Sequence, residues 1–272
     1  MPTIAYSAPI QILVAVRGHP FDRNAFDAMF LAMDGIAATM VDQPAAAQLM
    51  NPVAMAGYDA LLLYDMPGLD FDAVPPPGLV APDPDFVAGF EALLEEGKGI
   101  VALHHALAGW PAWPGYGEHL GGTFLYRPAR LRGVPTMDSG YRHGVNYGVE
   151  VVAPDHPVTA GLPPRFRLTD ELYLAELLDE QATPLLRARH RFEAAGFHSA
   201  AAAMDGRMFD NDGWTHPAGH DLIGWTRRAR ASPLVYLQPG DDAATFADPN
   251  YRRLVENAIR WVVDEGSGRR AK

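Results

Sequence analysis

The chain has 272 residues, 48% of them hydrophobic and 20% charged, with a formal net charge of −11 at pH 7 and a pI near 5.3. That length is ample for a full hydrophobic core, and the acidity excludes non-specific attachment to nucleic acid or to an anionic membrane surface. There are no cysteines, which excludes disulfides, thiolate nucleophiles and cysteine zinc sites.

Ile10–Val16 reads as a short buried strand, broken by Arg17-Gly18-His19-Pro20. Asp22–Ile36 is predicted helical, because Phe26, Met29, Phe30 and Met33 recur at spacings of three and four. Asp22 is its expected N-cap, and Gly35 lies near its end. Thr39–Val41 follows as a weak strand and Ala45–Met50 as a short helix. Ala60–Tyr64 is an apolar strand ending at Asp65-Met66-Pro67-Gly68. A proline-rich loop, VPPPGLVAPDP, leads to a helix over Asp85–Glu96 with Phe86, Phe90, Leu93 and Leu94 on one face. Gly97 and Gly99 close it. The next strand, Ile100–Leu103, stops at His104-His105, and a helical turn is expected to follow.

Alternating strands and helices, with strands that are continuously apolar, predict an α/β fold: an open parallel sheet covered by helices on both faces. The stretch from about 125 to 221 reads as a loop-rich insertion, with short strands only at Val149–Val152 and Pro184–Leu186. Leu222–Thr226 and Leu234–Leu237 are late strands. Pro249–Val263 is an amphipathic helix, with Tyr251, Leu254, Val255, Ala258, Ile259 and Val262 on one face, and the tail GSGRRAK reads as a frayed end. There is no internal repeat. One domain over 1–272, with its core at about 10–263, is expected. The amino terminus lacks a basic region followed by an apolar stretch. No apolar run approaches the roughly 20 residues that span a bilayer, so a cytoplasmic protein is expected.

In an open parallel sheet, ligands bind outside the carboxyl ends of the strands. His19 follows the first strand, Asp65 the third, His104 and His105 the fourth, and Asp241 and Asp242 the late strand LVYLQPG. Alone, each is an ordinary hydrogen-bonded loop residue. Together they converge on one rim and make a site. Serine-based hydrolysis has no support, since none of the five serines lies in G-x-S-x-G. The glycines Gly115, Gly117, Gly121 and Gly122 follow no strand directly, so there is no nucleotide cofactor motif. Trp110, Trp113 and Tyr116 either stack on a sugar or aromatic ligand or cap the core, two readings of equal weight. His216, His220 and Asp221 are metal-ligand types, but the proline and glycine between the histidines deny them a helix, and a loop is expected. The pairs Asp155-His156 and Asp170-Glu171 offer acid/base groups or turn caps. The only lysines are Lys98, in a turn, and Lys272, at the chain end, so a Schiff base is not expected.

At this point the motifs resemble a family. G-K-G-I-V-A-L-H-H-A, W-x2-Y-x3-L-G-G-x-F, D-H-P-V-T-x-G-L-P, T-D-E-x-Y, Y-L-Q-P-G-D-D and F-A-D-P-N-Y, in that order, look like the ThuA-like (trehalose-utilisation) proteins. The likeness runs from about residue 10 to 263. It implies a flavodoxin-like sheet similar to that of class I glutamine amidotransferases, with a strand-to-helix elbow. In the amidotransferases the elbow holds a nucleophilic cysteine. In ThuA-like proteins it holds a histidine, matched here by His104, so glutamine amidotransferase chemistry is not expected. The family's His-Pro matches His156-Pro157, its Asp-Glu-x-Tyr matches Asp170, Glu171 and Tyr173, and its histidine after the first strand matches His19. One departure stands out: members commonly carry Gly-His after the late strand, where this chain has Gly240-Asp241.

The resemblance implies an enzyme of carbohydrate metabolism, a hydrolase, lyase or isomerase, acting by acid/base chemistry on a sugar or keto-sugar derivative. His104, His19, His156, Glu171 and Asp241 are its expected acid/base residues. Asp65, His105, Trp110, Trp113, Tyr116, Asp170 and Tyr173 are expected toward the substrate, with His105 the lesser candidate because it should turn away in the first helical turn. A second version adds a divalent metal (zinc, manganese or iron) held by some of His104, His156, Glu171 and Asp241. The alternative is a non-catalytic sugar-binding or accessory protein on the same fold, favoured by the exchange to Asp241. The expected partner is a carbohydrate-like small molecule, with no nucleic acid and no membrane; a homo-oligomer is left open.

Overall fold

The computed structural model describes residues 9–74, 77–179 and 182–266. Pro75 and Pro76 of the proline-rich loop, and the tail beyond Gly266, lie outside the described residues. The main elements are β1 (Ile10–Arg17), α1 (Arg23–Leu31), β2 (Ile36–Asp42), α2 (Ala45–Leu49), β3 (Ala60–Asp65), α3 (Pro84–Glu95), β4 (Gly99–Leu103) and α4 (Pro114–Leu120). They continue with β5 (Gly140–Val151), β6 (Arg165–Leu174), β7 (Thr183–Arg189), α5 (Ala200–Met204), β8 (Leu222–Ala229), β9 (Ser232–Leu237), α6 (Ala243–Ala247) and α7 (Pro249–Gly266).

The strands form one sheet in the order β6-β5-β7-β8-β9-β4-β3-β1-β2, and a two-residue strand, His198–Ser199, joins it against β5. The half from β9 to β2 is parallel. The other half is antiparallel. The expected α/β fold is therefore present as a mixed sheet. Strand β1 shows why its run Ile12–Val16 is continuously apolar. Ile12, Val14 and Val16 enter a core with α1, α6 and α7, while Leu13 and Ala15 enter a second core with α2, α3 and α4. A strand buried on both faces has no polar side to alternate with. Burial of these two layers supplies the main driving force.

Two expectations need correction. The first helix stops at Leu31 rather than Ile36: Asp22 caps it by accepting from Ala25 N at 2.9 Å, but Ile36 pairs with Ile10 in the sheet. The chain must turn before that pairing, and Gly35 does so at φ +72°. The stretch expected to be loop-rich carries two long strands, β5 and β6, besides β7. Their glycines, a bulge between Arg142 and Val145, and buried charges hid them. Strand β5 pairs with β7 only over Gly148–Val151, yet with β6 along nearly its whole length. The free part of this ribbon folds over the carboxyl ends of β4 and β9, where Tyr173 N donates to Gln238 Oε1 at 3.1 Å. Among the described residues no helix is long and apolar enough to cross a membrane.

Candidate active site

Strand β4 ends in an elbow. Leu103 is extended at φ −112°, and His104 switches to φ +35°, a left-handed conformation that costs a non-glycine residue energy. The His104 ring is fully buried. Its Nδ1 lies 2.5 Å from the Gln238 carbonyl oxygen, which can only accept, so Nδ1 carries a hydrogen. Its Nε2 lies 2.9 Å from Glu171 Oε2. Burial opposes a charge on this ring, but the hydrogen bond and charge of Glu171, with Asp241 and Asp170, outweigh it and push His104 up to about 9. His104 thus forms the floor of the site, with both nitrogens engaged, rather than reaching into the cleft.

His105 does not turn away. Its Nδ1 lies 3.2 Å from the Tyr173 hydroxyl and its Nε2 3.4 Å from Asp241 Oδ1. Burial, with His104, His19 and His143 close by, keeps it well below the usual histidine range. Tyr173 also stacks on His104, with ring centres 4.4 Å apart.

His143, which sequence reasoning passed over, completes the group. It sits at the β5 bulge, and its Nδ1 is 3.2 Å from Glu171 Oε1 and 3.5 Å from Asp241 Oδ2. The hydrogen bond to Asp241, helped by Glu171 and against burial, holds His143 above its ordinary value. No periodicity marks it; the Gly144 beside it is the only local hint. His19 approaches from the loop after β1, with Nδ1 4.0 Å from Asp241 Oδ1 and ring centre 4.2 Å from that of His105. Burial lowers it, with Asp241 and Glu171 pulling the other way. Gly18 makes this approach possible, because a Cβ there would strike the Met66 backbone.

Asp170 builds the site without entering it. Its carboxylate accepts from the backbone N–H groups of Glu171, Gly240, Asp241 and Asp242, at 3.0, 2.7, 3.1 and 3.1 Å. It thereby fixes the loop that presents Asp241. The cleft in front of the cluster has a volume of about 240 Å³ and is lined by His19, His143, Glu171 and Tyr173 together with Phe124, Tyr126 and Tyr141.

Other expected residues lie elsewhere. His156 caps the short turn Pro157–Thr159 by accepting from Val158 N, and packs on Trp261 of α7. The tryptophans serve the core: Trp110 packs on Phe86, and Trp113 on Phe86 and Phe90. Tyr116 is buried beside Phe90. Asp65 is buried against Gln43, whose Nε2 donates to it at 2.6 Å. His216 faces Glu176 at 3.4 Å, and Asp221 pairs with Arg187.

The family model for trehalose utilisation, ThuA, matches residues 17–262. The chain belongs to the ThuA family. Solved ThuA-like proteins share the fold. One from Parabacteroides merdae is 14% identical with a TM-score of 0.62, covering 94% of this chain and 90% of its own. One from Bacteroides uniformis is 18% identical with a TM-score of 0.61, covering 96% and 95%. Agd3, described as a carbohydrate deacetylase, is 14% identical with a TM-score of 0.54, over 93% of this chain but only 32% of its own. No curated protein matches the chain. Within this ThuA-family chain, then, the family motifs divide: Asp170, Glu171, Tyr173 and His104 meet at one rim, whereas His156 stays with α7.

Proposed function

We propose that this ThuA-family chain is a cytoplasmic enzyme of carbohydrate metabolism that transfers protons next to a carbonyl group of a sugar or keto-sugar derivative. One observation carries the reading. Asp241 reaches two cleft-facing histidines at once, with His19 Nδ1 4.0 Å from its Oδ1 and His143 Nδ1 3.5 Å from its Oδ2. His19 Nδ1 lies 2.8 Å from the Pro20 carbonyl and so carries the hydrogen, which leaves Nε2 as a base for the cleft. His143, held by two carboxylates through Nδ1, is the acid through Nε2.

In the forward step His19 takes a proton from the carbon beside the carbonyl. The C–H electron pair becomes the C=C bond of an enediol, and His143 gives its proton to the carbonyl oxygen. Return of the proton from His19 to the former carbonyl carbon, with the hydroxyl proton of the other enediol oxygen passing back to His143, isomerises the sugar; loss of a β-substituent with its bonding electron pair completes an elimination instead. Glu171 orients His143, and His104 Nε2 holds Glu171 from behind. The rings of Phe124, Tyr126, Tyr141 and Tyr173 offer faces on which a sugar stacks. Family membership supports the sugar assignment.

The test is a panel of aldoses, ketoses, trehalose and keto-derivatives, incubated with the native chain, His143→Gln and His19→Gln. Each positioned proton-transfer group contributes on the order of 10²–10⁴ in rate, so each folded variant loses turnover by that order. Full turnover in both folded variants sinks the assignment. Ligand-induced stabilisation without turnover by the native chain leaves a binding protein instead.

A further inference from the structure

Behind the two cleft-facing histidines lies a second set of donors that this proton-transfer scheme does not use as acids or bases. His104, His105, Glu171 and Asp241 each direct one ligand-type atom to a common point, and these four atoms all lie within 4.8 Å of one another. The separations are 2.9 Å from His104 Nε2 to Glu171 Oε2, 3.4 Å from His105 Nε2 to Asp241 Oδ1, and 4.0 Å from His104 Nε2 to Asp241 Oδ1. An ion with bonds of about 2.0–2.1 Å holds tetrahedral neighbours roughly 3.4 Å apart. The observed spacings bracket that value.

Two further observations point to an occupant. His105 Nε2 is buried and makes no hydrogen bond among the described residues, although a carboxylate oxygen stands 3.4 Å away. In the tautomer whose Nδ1–H donates to the Tyr173 hydroxyl, the Nε2 lone pair faces a carboxylate oxygen, which is unfavourable unless a cation lies between them. The histidines are also set up from outside. His104 Nδ1–H donates to the Gln238 carbonyl, and His105 Nδ1 meets the Tyr173 hydroxyl, which fixes the ring orientations with Nε2 inward in both. Asp170 fixes the Asp241 loop from behind. Outer hydrogen bonds of this kind are what orient metal-binding histidines and carboxylates. When an ion displaces the proton between His104 Nε2 and Glu171, two neutral imidazoles and two carboxylates balance the charge of a divalent ion.

We propose that His104 Nε2, His105 Nε2, Glu171 and Asp241 bind one divalent transition-metal ion, of the zinc, iron or manganese class that mixed nitrogen and oxygen donors favour. The set differs from that expected from sequence, since His156 is absent from it and His105 enters. The proposal deepens the reading of the same cleft, because the ion supplies Lewis-acid charge at its floor. Its test reads metal rather than turnover, so the two succeed or fail separately.

Chelator-stripped full-length protein is titrated with zinc, manganese and, without oxygen, iron(II), by calorimetry and by elemental analysis after desalting. One equivalent is expected with at least one of these ions. Cobalt(II), used as a spectroscopic probe, should give the visible absorption of a four- or five-coordinate site. His105→Gln and Asp241→Asn should each weaken binding at least 100-fold. Asp241 lies in a loop, so that variant serves if His105→Gln fails to fold. His156→Gln should bind as the native chain does. No retained stoichiometric metal, or equal binding by native and Asp241→Asn proteins, overturns the proposal. So does a loss confined to His156→Gln.

Discussion

The loop that carries Asp241 depends on one buried carboxylate, and Asp170→Asn measures how strongly. Asp170 Oδ1 accepts from the backbone N–H groups of Glu171, Asp241 and Asp242, and Oδ2 from that of Gly240. The residue is fully buried, so water does not compensate a lost partner. In the best arrangement, asparagine keeps its oxygen toward the three N–H groups and turns its amide toward Gly240. That places donor against donor and orphans a buried N–H at about 1–3 kcal/mol. The three remaining bonds lose their charge assistance, roughly half their strength. Relief from burying a charge offsets part of this, and a net loss of about 2–4 kcal/mol is expected. At about 2–4 °C per kcal/mol for a chain of this size, the melting temperature falls by roughly 4–16 °C. Thermal and urea unfolding of the two proteins give the number. A change below about 0.5 kcal/mol would show that the carboxylate does not hold the loop.

The other predictions concern buried groups with a defined pH or steric signature. Burial pushes Asp65 up to about 6, with the Gln43 hydrogen bond opposing, and its Oδ1 has no partner among the described residues. Because this folded value lies above the unfolded one, Asp65 stabilises least at high pH: stability from this group is full below about pH 4 and is lost as pH rises through about 6, by roughly 3 kcal/mol. Asp65→Asn therefore gains about 2–3 kcal/mol at pH 8 and about 0.5 kcal/mol at pH 4, by urea unfolding; an equal gain at both pH values contradicts the assignment. Gly240 sits at φ +126°, and a Cβ there meets the buried Tyr251 hydroxyl. Gly240→Ala should cost about 2–4 kcal/mol in the same assay, and a neutral result would mean the turn has room to relax.

The sequence made the parallel half of the sheet legible because strands buried on both faces advertise themselves as unbroken apolar runs, as in Ile12–Val16 and Ile100–Leu103. It concealed β5 and β6 because those strands carry the polar residues of the cleft as well as core residues. Asp170, Glu171 and the His143-Gly144 bulge interrupt any apolar pattern at the place where the ribbon leaves the sheet to cover the site. The rim was readable, since His19, His104 and Asp241 all follow strands, whereas Glu171, inside β6, entered the site only through the motif T-D-E-x-Y. The direction of individual side chains was not. His105 points inward because His104 adopts a left-handed backbone that rotates the following turn, and that rotation leaves no trace in residue spacing. His156, conversely, carries the right chemistry in a family motif but is tied to α7 by its cap and by Trp261.

Proton transfer at the cleft is tested most directly by solvent exchange. The native chain is incubated in D2O with keto-sugars and ketoses, and the carbon-bound hydrogen beside each carbonyl is followed by NMR. The account predicts wash-in of deuterium at one such carbon of at least one substrate, reduced on the order of 10²-fold or more in His19→Gln and His143→Gln proteins that remain folded. Exchange that persists unchanged in both variants, or turnover that proceeds with no deuterium incorporated, would contradict it.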